Sequence, residues 1–303
     1  MPISTGSLVA LLLFIISALY VHHRGVVRHK FGRQLSDHST IMAPVNCFMY
    51  LFSGVSTRPY LPADTIPELD LLRDNWETIR EEGLALQGGG NIKRSEQLDD
   101  IGFNSFFKTG WTRFYLKWYK KQFPSALEHC PKTLALVNRC PSIKAAMFVV
   151  LPPGAKLVKH RDPYAGSLRY HLGLQTPNNE DCFLDVDGQR YHWRDGEAVL
   201  FDETYIHYAH NQTEQDRLIL FCDIERPMSN VVAQYVNKLF GRIVLAAASS
   251  RNEATDSPGL LNRAFHYLYQ VRLLGKRLKR FNKPLYYVVK WALFGGIFYL
   301  VFF

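Results

Sequence analysis

From Ser142 to Arg226 the chain reads as a succession of short apolar words separated by turns, and this limits the fold more than any other feature of its 303 residues. AAMFVVLPPG is a strand closed by a Pro-Pro-Gly turn, and SLRYHLGLQ, CFLDV, QRYHW, EAVLFDE, IHYAHN and RLILFCDIE follow it. Many short strands at this spacing point to a sandwich or barrel. Asp187-Gly188, between two of them, is a strong hairpin turn. The expected fold is α+β: a double-stranded β-helix (jelly roll) at about 142–228, flanked by helices, with a transmembrane helix at each end.

Inside these strands stands a possible metal site. His160 and Asp162 are two residues apart, so on a strand both point to one side. His207 follows in the word IHYAHN. Two imidazoles and one carboxylate on one face of an iron, with the other positions open, form the ligand set of non-haem Fe(II) oxygenases. Asp202 and Glu203, just before His207, are carboxylates that could replace Asp162 or orient a histidine from behind. Arg217 lies ten residues beyond His207. A cation is needed there to hold the far carboxylate of a 2-oxoacid, and the planar fork of Arg matches a carboxylate at two points. Arg169 and His171 alternate with apolar neighbours and so share one face of their strand.

These words resemble the aspartyl/asparaginyl β-hydroxylase family of 2-oxoglutarate dioxygenases. The resemblance is carried by His160, LRYHLGL at 168–174, the Asp-Gly turn with Trp193 after it, VLFDETYIHYAHN at 199–211, and Arg217 on an apolar strand ending in Asp223. It covers roughly residues 110–228 and implies the same jelly roll. It further implies Fe(II) on His160, Asp162 and His207, 2-oxoglutarate as cosubstrate, and O2. Arg217, Arg169, His171, Tyr170 and Trp111 are the cosubstrate-binding residues it implies, although Trp111 serves equally well as a core tryptophan. Animal members carry a small residue where this chain has Asp162. A filled third position leaves no vacancy for chloride and favours hydroxylation over halogenation. His192 and His210 match no ligand position.

By its length and its two apolar ends the chain resembles bacterial membrane members of the family, which implies hydroxylation of an acyl chain of lipid A or a related acylated glycolipid. A peptidyl aspartyl/asparaginyl hydroxylase is the second expectation. A non-catalytic, membrane-tethered binding module is the third.

The formal net charge of +9 could signal nucleic acid, but its distribution argues against that partner. Arg24, Arg28, Lys30 and Arg33 follow one apolar run; Arg272, Lys276, Arg277, Lys279, Arg280 and Lys283 precede another. Together they exceed the whole excess by one charge, so the rest of the chain is close to neutral. Residues 2–21 carry no charged side chain and are long enough to span a bilayer. A cleaved signal peptide would want its positive charge before the apolar run, whereas here it comes after. The positive-inside rule then places residue 22 onward in the cytoplasm, and the resemblance implies a multi-pass protein of a bacterial inner membrane, against the lipids of that membrane. Five cysteines without a CxxC pair fit a reduced compartment and structural thiols.

The expected organisation is a transmembrane helix at 1–22, an irregular membrane-proximal segment at 23–66, a catalytic domain at 67–228, amphipathic basic helices at 229–283 and a second transmembrane helix at 284–303. Within it, one helix is expected from Ile66 to Leu86 and another near 124–139. The polar stretch 91–104 reads as loop. CFMYLF at 47–52 suits either the membrane surface or a core.

Overall fold

The structure, a computed structural model, describes residues 4–93, 103–119, 121–245, 250–253, 256 and 259–302. Most of the polar stretch at 91–104 therefore lies outside the described residues. The strands are β1 Tyr60–Leu61, β2 Thr112–Trp118, β3 Lys121–Gln122, β4 Ile143–Leu151, β5 Lys156–His160, β6 Ser167–Gln175, β7 Cys182–Val186, β8 Gln189–His192, β9 Ala198–Phe201, β10 His207–Asn211 and β11 Arg217–Glu225. They form a large sheet in the order β1-β9-β6-β11-β4-β2-β3 and a small sheet in the order β5-β10-β7-β8. From β4 onward the chain crosses repeatedly between the sheets: β4, β6, β9 and β11 lie in the large one, β5, β7, β8 and β10 in the small one. That alternation, with antiparallel neighbours, is a double-stranded β-helix. β2 and β3 extend the large sheet at one edge and β1 at the other.

Strand β11 shows why the words are so apolar. It pairs with β4 on one side and β6 on the other. Its odd residues Arg217, Ile219 and Phe221 line a cavity between the sheets. Leu218, Leu220, Cys222 and Ile224 are buried on the other face, toward the helices that cover the large sheet. Both faces are covered, so hydrophobic residues follow one another instead of alternating with polar ones. The β7–β8 turn falls at Asp187-Gly188, where φ is +55° and +84°, the positive values that a two-residue hairpin demands.

Two expected helices are divided. Between Ile66 and Leu86 the chain forms a 3-10 turn Pro67–Leu69, a short helix Asp70–Asp74 and a longer helix Trp76–Gly88. The break is at Asn75, whose Nδ2 donates to the Leu71 carbonyl at 2.8 Å and whose φ is −114°. A side chain that competes for backbone groups favours such a stop. The stretch at 124–139 splits into Pro124–His129 and Pro131–Arg139, because the residue before a proline is pushed out of the helical region and Cys130 sits at φ −138°.

The membrane-proximal segment is more ordered than expected. CFMYL lies within the helix Ala43–Leu51, which Phe52 closes, with Pro44 in the first turn, where its missing N–H leaves no bond unmade. Ala43, Met49 and Tyr50 of that helix pack with Val21, Tyr164 and Ala165 in a second, smaller core. Val21 belongs to the N-terminal helix Thr5–His23, which Ser4 caps through the Ser7 N–H at 3.1 Å. Most other side chains of that helix lie open to the surroundings. Among the described residues it is the one helix long and apolar enough to cross a membrane. The expectation of a span at each end is met at the N-terminus alone among the described residues; the C-terminal stretch is a single helix, Lys283–Phe302. It meets the N-terminal helix at Phe14–Phe298, with centroids 6.3 Å apart. All five cysteines are free thiols.

Candidate metal centre

His160 ends β5 and His207 opens β10, and the antiparallel register sets the two opposite each other. Their ring centroids are 4.2 Å apart. Asp162 follows β5 and is held by its N–H to the Glu203 carbonyl at 2.9 Å. Its Oδ1 lies 3.7 Å from His160 Nε2. One ligand atom from each of the three residues falls within 4.8 Å of the others.

Both imidazoles are turned for ligation. His160 Nδ1 donates to the Val158 carbonyl at 2.7 Å and His207 Nδ1 to the Tyr205 carbonyl at 3.0 Å. Each Nδ1–H is thereby fixed by backbone, leaving Nε2 as the basic nitrogen aimed at the shared point. Burial, with His160 beside it, drives His207 down to about 3, and burial lowers His160 as well. For Asp162, burial works against ionisation, yet Arg169 and the two imidazoles hold it at about 2. Neutral imidazoles and an ionised carboxylate are the forms that bind a cation.

Behind Asp162 sits an excess of negative charge. Arg169 donates to Asp162 Oδ2 at 2.7 Å, bonds Glu203 through Nε at 2.6 Å and lies 3.1 Å from Asp223 Oδ1. One guanidinium thus faces three carboxylates. Burial pushes Glu203 well up and raises Asp223, against the pull of Arg169 on both. A divalent cation on the triad offsets the same excess. Arg169 lines the cavity, and these three carboxylates take up its guanidinium, which fixes Asp162 beside the two histidines. Glu203 orients Arg169 and Ser167 rather than a histidine.

At the other end of the cavity Arg217 is fully buried with Nε and one terminal nitrogen unpartnered, its guanidinium carbon 4.3 Å above the Trp193 ring. Burial pushes it down to about 10. Beside it His171 has both ring nitrogens unpartnered and is held neutral by burial and by Arg217, and the Trp193 indole N–H is also unpartnered. A desolvated cation without a counter-charge is costly. With these spare donors beside it, the guanidinium has the chemistry to receive a carboxylate.

Trp111 lines the cavity and is stacked on Phe103 at 4.9 Å. Tyr170 does not reach it. On β6 it lies between Arg169 and His171 and points the other way, toward Asp70 and Arg73 of the helical layer, because successive side chains of a strand alternate. Asp202 is likewise removed from the metal: it is completely buried between Arg24 and Arg226, each 2.7 Å from its Oδ2. His192 and His210 are not among the cavity residues. Sequence reasoning missed Phe103, and Phe106, which lies 4.8 Å from the His160 ring. No pattern marks them, since any core uses such rings.

The family model described as aspartyl/asparaginyl beta-hydroxylase matches residues 73–227. Over 130 residues the chain is 39% identical to the ornithine lipid ester-linked acyl 2-hydroxylase of Rhizobium tropici, covering 43% of this chain and 46% of that protein. The human aspartate beta-hydroxylase domain-containing protein 2 is 28% identical over 221 residues, 70% of this chain and 57% of that protein. The chain spans about half the length of the first of these relatives. A Pseudomonas putida prolyl-4-hydroxylase structure aligns with 62% of this chain and 100% of its own, at 17% identity and a TM-score of 0.34.

Proposed function

The chain belongs to the aspartyl/asparaginyl β-hydroxylase family, and from that premise we propose that it is an Fe(II)- and 2-oxoglutarate-dependent dioxygenase hydroxylating the 2-position of a fatty acyl chain of a membrane lipid, lipid A in particular. The observation that carries the reading is the buried, uncompensated Arg217 behind the His160–Asp162–His207 triad. An iron on the triad and a carboxylate on Arg217 together describe a cosubstrate bound at both ends.

Each residue has a role. His160, Asp162 and His207 hold the metal, and Arg169 keeps Asp162 ionised and turned inward. Arg217 pairs with the distal carboxylate of 2-oxoglutarate, while His171 and Trp193 offer further hydrogen bonds. Phe103, Phe106 and Trp111 keep water from the centre. The cavity measures only about 40 Å³, so Phe103 and Phe106 must give way as the cosubstrate enters. With iron and O2 the bound 2-oxoglutarate supplies the oxidation that replaces a C–H by C–OH, leaving succinate and CO2.

The lipid reading draws on the apolar helix Thr5–His23 and on the Rhizobium tropici relative, which is named for an acyl 2-hydroxylation. Tethering holds the domain close to the bilayer surface. The hydrocarbon core is about 30 Å thick, and carbon 2, beside the acyl carbonyl, is its shallowest C–H position. We place the domain on the cytoplasmic side of a bacterial inner membrane. Mass spectrometry of lipids from cells with and without the protein tests the proposal. One oxygen should be added to lipid A at an acyl 2-position, with label from ¹⁸O₂ and none from labelled water. Label from water, or unmodified lipids beside a newly hydroxylated protein, turns the decision to the peptidyl alternative.

A further inference from the structure

A second cavity, of about 290 Å³, lies away from the metal, between the β2–β4 part of the large sheet and the helix Val231–Phe240 with the turn after it. Four cations line it, Lys117, Lys144, Lys238 and Arg242, against one carboxylate, Glu225. Glu225 is already engaged, 3.1 Å from Lys144 Nζ and bonded to Gln234. Lys117 is half-buried and makes no ion pair among the described residues, and burial, then Lys144, lowers its pKa. Glu68, the carboxylate acting on it from a distance, is bonded to the Ser142 N–H at 2.7 Å. Lys238 and Arg242 stand at the rim, also without an acidic partner among the described residues. Tyr119 lines the same cavity from the left-handed backbone region, at φ +53°, a conformation that a bulky residue keeps only where its surroundings enforce it. A cavity of this kind wants a compact, multiply charged anion.

The helix beside it says where the anion comes from. Val231 is 84% exposed, Val232 71%, Tyr235 62% and Ile243 64%, and Lys238 and Arg242 stand next to this apolar side. An apolar face edged by cations is the pattern of a helix lying on an anionic membrane surface. Its start is tied to the membrane-proximal segment, through the Ser229 N–H to the Phe52 carbonyl at 2.8 Å. We propose that this cavity is a binding site for the phosphate of a lipid headgroup at the membrane surface. It is distinct from the cavity of the metal. Between them runs a buried chain: Ser167, on the wall of this cavity, donates to Glu203, and Glu203 bonds Arg169, the partner of Asp162.

The inference deepens the proposed lipid function by naming the part of the lipid that is held, so its test measures binding without iron or 2-oxoglutarate. The full chain in maltoside micelles is titrated calorimetrically with dihexanoyl phosphatidic acid, dihexanoyl phosphatidylcholine and inorganic phosphate. Saturable binding of the phosphatidic acid is expected, at least tenfold weaker in Lys117→Gln, restored in Lys117→Arg and weakened in Arg242→Ala, an exposed position that leaves the fold intact. Inorganic phosphate binding as tightly as the lipid keeps the anion site and overturns the headgroup as its source. Equal binding of the phosphatidylcholine, or unchanged binding in both Lys117→Gln and Arg242→Ala, overturns the site itself. Phosphate binding with no lipid hydroxylation in cells defeats the proposed activity and leaves this site standing.

Discussion

Arg217 and the triad divide the labour at the candidate centre, and substitution should separate them. In Arg217→Ala the cosubstrate carboxylate loses a desolvated partner, worth about 2–5 kcal/mol. The 2-oxoglutarate requirement should rise steeply while Fe(II) still binds. Lys at this position supplies charge but not two parallel N–H bonds, so Arg217→Lys should recover only part of the loss. The check is succinate formation against 2-oxoglutarate concentration, beside an iron titration. His160→Ala and His207→Ala should behave oppositely: iron affinity falls and turnover disappears whatever the cosubstrate concentration. A variant of either histidine that retains near-full activity would remove that residue from the ligand set.

Between elements, a buried joint links the N-terminal helix to the wall carrying His207. Arg24, one residue past that helix, reaches Asp202 at 2.7 Å, Thr204 Oγ1 at 2.8 Å and the Thr57 carbonyl at 2.8 Å. It is sandwiched between the rings of Tyr50 and Tyr205, 4.0 and 3.9 Å away. Gly25 follows at φ +90°, where a side chain would strike Asp187. Arg161, between two candidate ligands, bonds the Val21 carbonyl at 2.8 Å. The segments beside His160, Asp162 and His207 are thus both gripped from the end of the N-terminal helix. Arg24→Ala leaves Asp202 to Arg226 alone, so the loss should fall below the about 3–5 kcal/mol of a buried charge left with no partner. Thermal melting should fall accordingly, and iron affinity with it as the loop before His207 loosens. A variant with unchanged melting and unchanged iron affinity would show the joint to be irrelevant. His29, in the same segment, is pushed down to about 4 by burial and Arg33. Below the ordinary histidine range the unfolded chain takes a proton that the folded one refuses. Stability should therefore be unaffected by this group above about pH 6.5 and decline as pH drops from there toward 4. Melting curves of His29→Asn across that window should show a shallower decline.

For the molecule as a whole, the charge distribution takes a different meaning once the chain is folded. Arg24, counted among the flanking cations, is buried in the domain and does not face lipid headgroups. Arg28, Lys30 and Arg33 remain exposed or partly exposed behind the N-terminal helix, and they suffice for the orientation proposed above. Reporter fusions within the central domain should read cytoplasmic. A periplasmic result would reverse the topology and remove the reducing setting that suits five free thiols.

The β-helix and the pairing of His160 with Asp162 were legible in the sequence because both rest on short-range rules, whereas His207 was joined to them through the family resemblance. Strand words, turn dipeptides and the two-residue step from His160 to Asp162 need only local geometry. Breaks such as Asn75 and Pro131 were also written locally, though periodicity alone passed over them. The partners of charged groups were not legible. Which carboxylates Arg169 meets, whether Asp202 faces the metal or Arg24, and which way Tyr170 points depend on residues brought together from as far as 178 positions away. Only the packed structure decides those meetings, since burial turns an ordinary charge into one that must find a particular counter-charge. In Arg217 it also leaves a buried charge with no counter-charge among the described residues.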